Sequence, residues 1–209
     1  DCYRLFHGAI EGAPGCTLDR YGDLLLWQTF RQSEEPPEEL LPHIQAVVED
    51  ALGLSLQPHW NDRRSGARSA SPSASAAALA GDHTGRELGL RYRIEVPPPG
   101  RDPLLYLDFR SARRWLAANS EGRDVLNAFS FTCGAGVAAL AGGAASVTNL
   151  DFSESALATG RFNAEANGLP LERFHTLCAD ALPALRQFAG LPVTQDRRRS
   201  AQRGRAGGR

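Results

Sequence analysis

Asp124-Val-Leu-Asn-Ala-Phe129, Ser130-Phe-Thr-Cys-Gly-Ala-Gly136, the small apolar run Val137 to Ala145, and Ser146-Val-Thr-Asn-Leu-Asp151 decide how this chain folds. Val125 to Phe129 is a short apolar run between polar residues, the pattern of a strand buried in a parallel sheet. Gly134 and Gly136 permit a tight turn and let backbone N–H groups come close to a ligand. Val137 to Ala145 is mostly alanine, which favours helix. Val147 to Leu150 reads as a second strand, with Asp151 at its carboxyl end. Strand, glycine turn, helix, strand and acid make a nucleotide-binding βαβ unit, and the acid suits a pair of ribose hydroxyls.

Two kinds of cofactor compete for such a unit. Gly134-Ala-Gly136-Val-Ala-Ala139 formally satisfies the dinucleotide pattern G-x-G-x-x-G/A. In that fingerprint the turn follows the strand directly, whereas here Ser130 to Cys133 intervene. The longer loop suits an amino-acid carboxylate and amine better than a pyrophosphate pressed onto a helix N-terminus. NAD is therefore the least favoured cofactor.

The rest of the chain bounds the answer. With 209 residues and 42% hydrophobic content it can hold one large or two small domains with a real core. No apolar run approaches the ~18 residues of a membrane span. The opening Asp1-Cys-Tyr-Arg4 has neither Met nor a signal-peptide pattern and reads as part of a longer chain. Cys2, Cys16, Cys133 and Cys178 lack paired spacing, which argues against a zinc site or disulfide framework and for a reducing cytoplasm. All 23 basic residues are Arg, which reads as coding bias. Residues 194–209 hold six Arg against one Asp, a net of +5, so the body carries −6 of a total of −1. An acidic body is no signature of nucleic-acid binding, so charge does not carry an RNA reading.

Along the chain, Tyr3 to Gly15 reads as strand and turn, Asp19 to Asp23 as a turn whose acids are turn formers, and Leu24 to Phe30 as a strong strand. Ser33 onward starts a helix with Leu40, Leu41, Ile44, Val47, Val48 and Leu52 at helical spacing, ended by Gly53. Leu54 to Trp60 is a further strand. Residues 1–60 are thus expected to form a small α/β accessory domain. Residues 61–87 are expected to be a flexible linker, because the Ser-, Ala-, Arg- and Gly-rich 61–84 cannot order itself. Its Arg63, Arg64 and Arg68 read as solvated linker charge rather than phosphate contacts. Leu88 to Val96 alternates like a strand or hairpin arm, and Arg110 to Asn119 is helical, with Ala112, Trp115 and Leu116 as its core face. Ser153 caps the next helix, which runs to Asn167-Gly168, where Asn163 and Asn167 are helix-surface and C-cap residues. Phe174 to Cys178 is a third strand leading to Asp180, and Leu182 to Phe188 a further helix with Pro183 in its first turn.

Asn127-Ala-Phe-Ser-Phe-Thr-Cys-Gly-Ala-Gly-Val137 resembles motif I of class I S-adenosylmethionine (AdoMet) methyltransferases. Leu107-Asp-Phe-Arg110, Asp151-Phe-Ser153 and Asn163-Ala-Glu-Ala-Asn-Gly-Leu169 are similar to further blocks of the branch containing the bacterial 23S rRNA methyltransferases. The resemblance runs from Leu88 to Leu191, with a weaker echo in Tyr3 to Phe30. It implies a Rossmann-like α/β methyltransferase fold over residues 88–193, AdoMet as cofactor, RNA as partner, and no metal. It implies that the loop around Phe129, Ser130, Thr132, Cys133, Gly134 and Gly136 holds the methionine end. By the same resemblance Asp151 would take the ribose hydroxyls, Phe152 would pack on the adenine, and Asp180 would accept from its exocyclic amine, with Ser153 and Ala181 beside them. Asp180 also reads as a helix cap. Asp108 and Arg110 would close the pocket. A nucleophilic role for Cys133 is set aside, because the resemblance places it in the cofactor loop.

Members of that branch continue into a fourth strand and an Asp-Pro-Pro block that holds the target base. Here 194–209 lacks apolar periodicity and reads as a basic disordered tail. The target-base half is therefore expected to be missing, which leaves catalytic residues unassigned and the activity of this chain in question. The expected function is AdoMet-dependent methylation of rRNA. The alternatives are a small-molecule or protein methyltransferase on the same fold and a non-catalytic AdoMet- or RNA-binding remnant.

Overall fold

The computed structural model describes residues 1–30, 40–63, 83–97 and 101–193. Expectations for Ser33 to Glu39, Arg64, Arg68 and the 194–209 tail lie outside the described residues.

The N-terminal part is a four-stranded sheet. Strands β1 (Cys2–Phe6), β2 (Cys16–Tyr21) and β3 (Leu24–Thr29) form an antiparallel meander. Helix α1 (Leu40–Leu52) returns the chain to β4 (Gln57–Asp62), which pairs parallel to β3. The apolar stripe of α1 packs Leu40, Leu41, Ile44, Val48 and Leu52 onto Leu18, Leu25, Trp27 and Leu56, while Val47 points outward. Gly53, at φ 64, ends the helix in the left-handed conformation that glycine adopts without a Cβ clash.

Asp19 departs from its reading as a turn former. The turn falls at Gly22 and Asp23, and Asp19 lies inside β2, fully buried. Its carboxylate accepts from Arg4 Nε at 2.7 Å and Nη2 at 3.2 Å, and from Gln28 Nε2 at 3.1 Å. These partners come from β1 and β3, so no local pattern around Asp19 announces them. A buried carboxylate needs such partners to be tolerated.

Strands β5 (His83–Glu87) and β6 (Leu90–Ile94) form a hairpin. Leu88 at φ 53 and Gly89 at φ 82 make a two-residue turn with both φ positive, the geometry that matches strand twist. Residues 61–62 and 83–87, placed by sequence in the linker, are therefore strand, and Leu88 is turn.

After a 3₁₀ turn at Leu107–Phe109, helix α2 (Arg110–Asn119) leads into the parallel βαβ unit that begins at Asp124. Strands β7 (Asp124–Ala128), β8 (Ser146–Asp151) and β9 (Phe174–Cys178) are parallel and adjacent in that order. Helices α3 (Gly134–Ala141), α4 (Glu154–Ala166) and α5 (Ala181–Phe188) follow them in turn. The fold is thus α/β, with a Rossmann-like parallel half-sheet behind a small mixed α/β layer. Helix α3 starts three residues earlier than its alanine run and stops at Gly142-Gly143, where Gly143 takes φ 86. Strand β7 is an edge rather than a fully covered strand: among the described residues nothing pairs with its outer side, and Leu126 is 44% exposed.

Two side-chain placements on the helices also differ from their reading. Trp115 is 63% exposed, and the buried residue of α2 is Arg113. Asn163 is buried instead of lying on the helix surface. Its Oδ1 accepts from Arg93 N–H at 2.8 Å and its Nδ2 donates to the Thr132 carbonyl at 3.3 Å. Asn167 accepts from Arg91 N–H and donates to Arg91 C=O, at 2.8 and 2.7 Å. These two amides, one helical turn apart, complete the hydrogen bonding of the β6 edge as a neighbouring strand would. The principal core runs through all these parts, from Cys2, Tyr21, Leu24 and Leu26 through Tyr92, Ile94 and Leu105 to Val137, Val147, Leu157 and Phe174.

The close fit of α3 on β8 makes a test. A Cβ on Gly136 would stand 2.1 Å from Asn149 Oδ1. Asn149 is fully buried and held by Asn127 Nδ2 at 2.9 Å, so it has no room to swing away. Gly136→Ala is expected to destabilise by about 1–3 kcal/mol, since overpacking outweighs the ~1 kcal/mol gain in helix propensity. Urea unfolding measures it. A stabilised variant would show that Gly136 is present for some reason other than packing.

Candidate cofactor site

A cavity of about 460 Å³ opens at the carboxyl end of β7. Open parallel sheets bind ligands at this end. One wall is the loop from Ala128 to Thr132 with Gly134 and Ala135 of α3. The other is Leu104 to Tyr106, Asp108, Phe109 and Arg113. The lining is largely apolar and aromatic, with Tyr106 and Phe131 5.1 Å apart at their ring centroids.

The loop is strained. Phe129, Phe131 and Cys133 adopt φ of 57, 48 and 58. Left-handed backbone costs an L-residue about 1–2 kcal/mol, and a bulky side chain there is an outlier. Leu104, on the opposite wall, takes φ 69. Of the non-glycine residues with positive φ among those described, three line this cavity. Strain of this kind persists only where surrounding contacts over-determine it.

Those contacts are specific. Ser130 N–H donates to Leu150 C=O at 3.0 Å, and Cys133 N–H to Ser130 C=O at 2.7 Å. Thr132 Oγ1 donates to Leu104 C=O at 2.5 Å, tying one wall to the other. The Asp151 carboxylate holds the middle: Oδ2 accepts from Phe131 N–H at 2.8 Å and Oδ1 from Ser153 N–H at 2.9 Å. Each carboxylate oxygen has two lone pairs, so both can accept again.

Arg113 supports the other wall. It is 2% exposed, and its Nε and Nη2 make a two-point pair with the Glu87 carboxylate, the Nη2 bond at 2.8 Å. Nη2 also donates to Tyr106 C=O at 2.8 Å. The guanidinium thus fixes the backbone of the wall as well as lining the cavity.

Of the residues singled out by sequence, Asp108, Phe129, Ser130, Thr132 and Gly134 line the cavity. Asp151 braces its loop. Arg110 donates from Nη1 to the Cys2 carbonyl at 2.9 Å and so joins α2 to β1. Cys133 is fully buried against Gly160, and burial pushes its thiol up to about 12. It is therefore a neutral thiol at neutral pH, without nucleophilic character. Gly136 faces Asn149. Phe152 is 80% exposed just beyond β8. Ser153 accepts from Ala156 N–H as the cap of α4, and Asp180 accepts from Leu182 N–H at 3.3 Å as the cap of α5. Ala181 is buried against Leu150. Asp151 ends β8, Phe152 follows it directly, and Asp180 lies two residues past the end of β9.

Sequence reasoning missed Tyr106, Phe109, Phe131 and Arg113 as lining residues. Arg113 carried at most a weak signal, an Arg one turn after Arg110 on the same helix. Its partner Glu87 lies 26 residues away on a hairpin.

The family described as S-adenosylmethionine-dependent methyltransferase matches residues 4–192. The chain belongs to this family. It is 32% identical over 187 residues to ribosomal RNA large subunit methyltransferase I of Photobacterium profundum, covering 89% of this chain and 47% of that protein. It is 34% identical over 176 residues to a ribosomal RNA large subunit methyltransferase of Deinococcus radiodurans, covering 80% and 41%. The chain spans about half the length of these relatives. Among solved structures, the SAM-dependent methyltransferase of Agrobacterium tumefaciens superposes with a TM-score of 0.62 at 22% identity, over 90% of this chain and 56% of that one. That likeness concerns the fold. The family's cofactor, AdoMet, accords with the donor set: a backbone loop aimed at a cavity and an acid with open lone pairs beside it.

Proposed function

We propose that this chain carries the cofactor-binding part of an AdoMet-dependent methyltransferase acting on a base of large-subunit ribosomal RNA. The single observation that carries the cofactor reading is the strained loop Phe129–Cys133 braced by Asp151. In this reading its backbone groups and the start of α3 hold the carboxylate and amine of the methionine end. The open lone pairs of Asp151 accept from the ribose hydroxyls, and the exposed Phe152 ring packs on the adenine. Asp180 accepts from the adenine amine with its capping carboxylate, and Asp108 and Phe109 close the cavity from the other wall. Bound there, AdoMet supplies an electrophilic methyl group. The protein's part is to orient it and keep water away with Tyr106, Phe109, Phe129 and Phe131. The RNA substrate is supported by the names of the relatives, and the cytoplasm by that substrate. No described helix is long and apolar enough to cross a membrane.

Calorimetry is expected to show AdoMet and S-adenosylhomocysteine binding, with NAD silent. Tight NAD binding without AdoMet binding would overturn the cofactor assignment. Methyl transfer from labelled AdoMet is expected into ribosomal RNA when total RNA, protein extract and small metabolites are offered side by side. Label in protein or metabolites alone would sink the RNA reading.

A further inference from the structure

A second pocket, of about 300 Å³, lies between the N-terminal sheet and the segment Asp102–Asp108. Arg4, Gln28, Phe30 and Arg63 form its sheet side. Leu105, Tyr106 and Asp108 line both this pocket and the cofactor cavity, so one stretch of chain is the wall between them. Tyr21 Oη donates to Leu105 C=O at 3.0 Å and fixes that wall from the second pocket's side. No residue of the parallel half-sheet takes part.

The charges choose the ligand. Arg4 is paired with Asp19 and Arg63 with Asp102, both at 2.7 Å. Asp108 adds a further carboxylate close enough to Arg4 to help hold that guanidinium charged. Two guanidinium groups already neutralised, beside a third acid, give no positive excess for a phosphate. The pocket favours a neutral ligand that offers N–H donors to a carboxylate. Its walls offer flat groups for a flat ligand to lie on: the Arg63 guanidinium is stacked 5.5 Å over the Phe30 ring, and Tyr106 lines the pocket from the shared wall. Proteins that read RNA take unpaired bases by stacking them on aromatic or guanidinium planes and hydrogen-bonding their edges, and an Asp accepts from an exocyclic amine.

We infer that this second pocket binds an unpaired nucleobase of the RNA, anchoring the strand beside the cofactor cavity. This inference rests on the RNA reading above. The anchored base is a neighbour of the methylated one, because the Leu105–Asp108 segment stands between it and the cofactor.

The test uses the full chain saturated with S-adenosylhomocysteine and a short, fluorescently labelled RNA of mixed sequence, offered single-stranded or as its duplex. The single strand is expected to bind more tightly. Phe30→Ala and Arg63→Ala should each weaken single-strand binding by roughly 5- to 100-fold, the range found for removing a base-stacking side chain. Neither should alter duplex binding or S-adenosylhomocysteine affinity, since both residues lie away from the cofactor cavity. A variant that fails to fold is recognised by loss of S-adenosylhomocysteine binding. In that event, crosslinking of wild-type protein to 4-thiouridine RNA decides, with labelled peptides expected around Phe30 or Arg63, which line the second pocket alone. Variants that bind single strands like wild type, or crosslinks confined to other segments, would overturn the pocket and leave the RNA reading standing. A wild-type chain that binds S-adenosylhomocysteine but neither form of RNA would overturn both.

Discussion

Glu87→Ala is expected to cost about 3–5 kcal/mol of folding stability, because it leaves the Arg113 guanidinium buried without its counter-charge. The pair is almost fully enclosed, with side-chain exposures of 3% for Arg113 and 0% for Glu87. A typical domain is stable by only about 5–15 kcal/mol, so the loss is a large part of the whole. It should also loosen the cofactor cavity, since Arg113 holds the Tyr106 carbonyl. A second variant separates charge from shape. Replacing both partners, Glu87→Leu with Arg113→Met, should recover most of the stability, because an apolar pair of similar volume is often neutral or better. S-adenosylhomocysteine binding should stay weakened in the double variant, because the wall has lost its donor to Tyr106. Urea unfolding with calorimetry on the same samples checks both. A Glu87→Ala protein within about 1 kcal/mol of wild type would show the pair to be far better hydrated than its burial implies.

Asp151→Ala should weaken S-adenosylhomocysteine binding by about 2–4 kcal/mol, roughly 30- to 1,000-fold. Two effects combine. In the proposed cofactor pose the ribose hydroxyls lose their acceptor, at about 1–3 kcal/mol for groups left unpaired. The N–H groups of Phe131 and Ser153 lose theirs as well. Without that brace the left-handed conformations of Phe129, Phe131 and Cys133 have less to hold them, and the loop relaxes from the shape that faces the ligand. Asp151→Asn keeps one acceptor oxygen and should fall between the two. Calorimetry measures the affinities, and amide exchange at Phe131 reports the loop. Unchanged affinity in Asp151→Ala would move the ribose contact elsewhere. Unchanged exchange with lost affinity would restrict Asp151 to ligand contact alone.

The parts that could be read without coordinates are those governed by local rules. The order β7, α3, β8, Asp151 follows from a short apolar run, an alanine run and a second apolar run, each specified by its own residues. The turn between β7 and α3 instead falls at Phe129–Cys133, and the glycines expected to make it, Gly134 and Gly136, lie inside α3. Ser153 as the cap of α4, Asn167-Gly168 as its end and Asp180 as the cap of α5 are likewise set within one turn of helix. The α1 stripe is legible because helical spacing repeats over thirteen residues.

Tertiary structure decided what depends on partners distant in sequence. Asp19 reads as a turn acid until Arg4 and Gln28 are brought to it across two strands. Arg113 takes the buried place expected of Trp115 because Glu87, on a hairpin in the range read as linker, supplies the counter-charge that lets an arginine be buried. Asn163 becomes a core residue because the β6 edge lies alongside α4 and needs its backbone groups satisfied. The strain at Phe129, Phe131 and Cys133 is invisible in sequence, since no propensity rule places a phenylalanine at positive φ. Only the combined pull of Leu150 and Asp151 on β8, Leu104 on the opposite wall and Asn163 on α4, three separate segments, holds it there. Local sequence thus determined the elements and their order. The walls of both pockets were decided by long-range pairing, since burying charge and holding strain require partners that only the folded chain brings together.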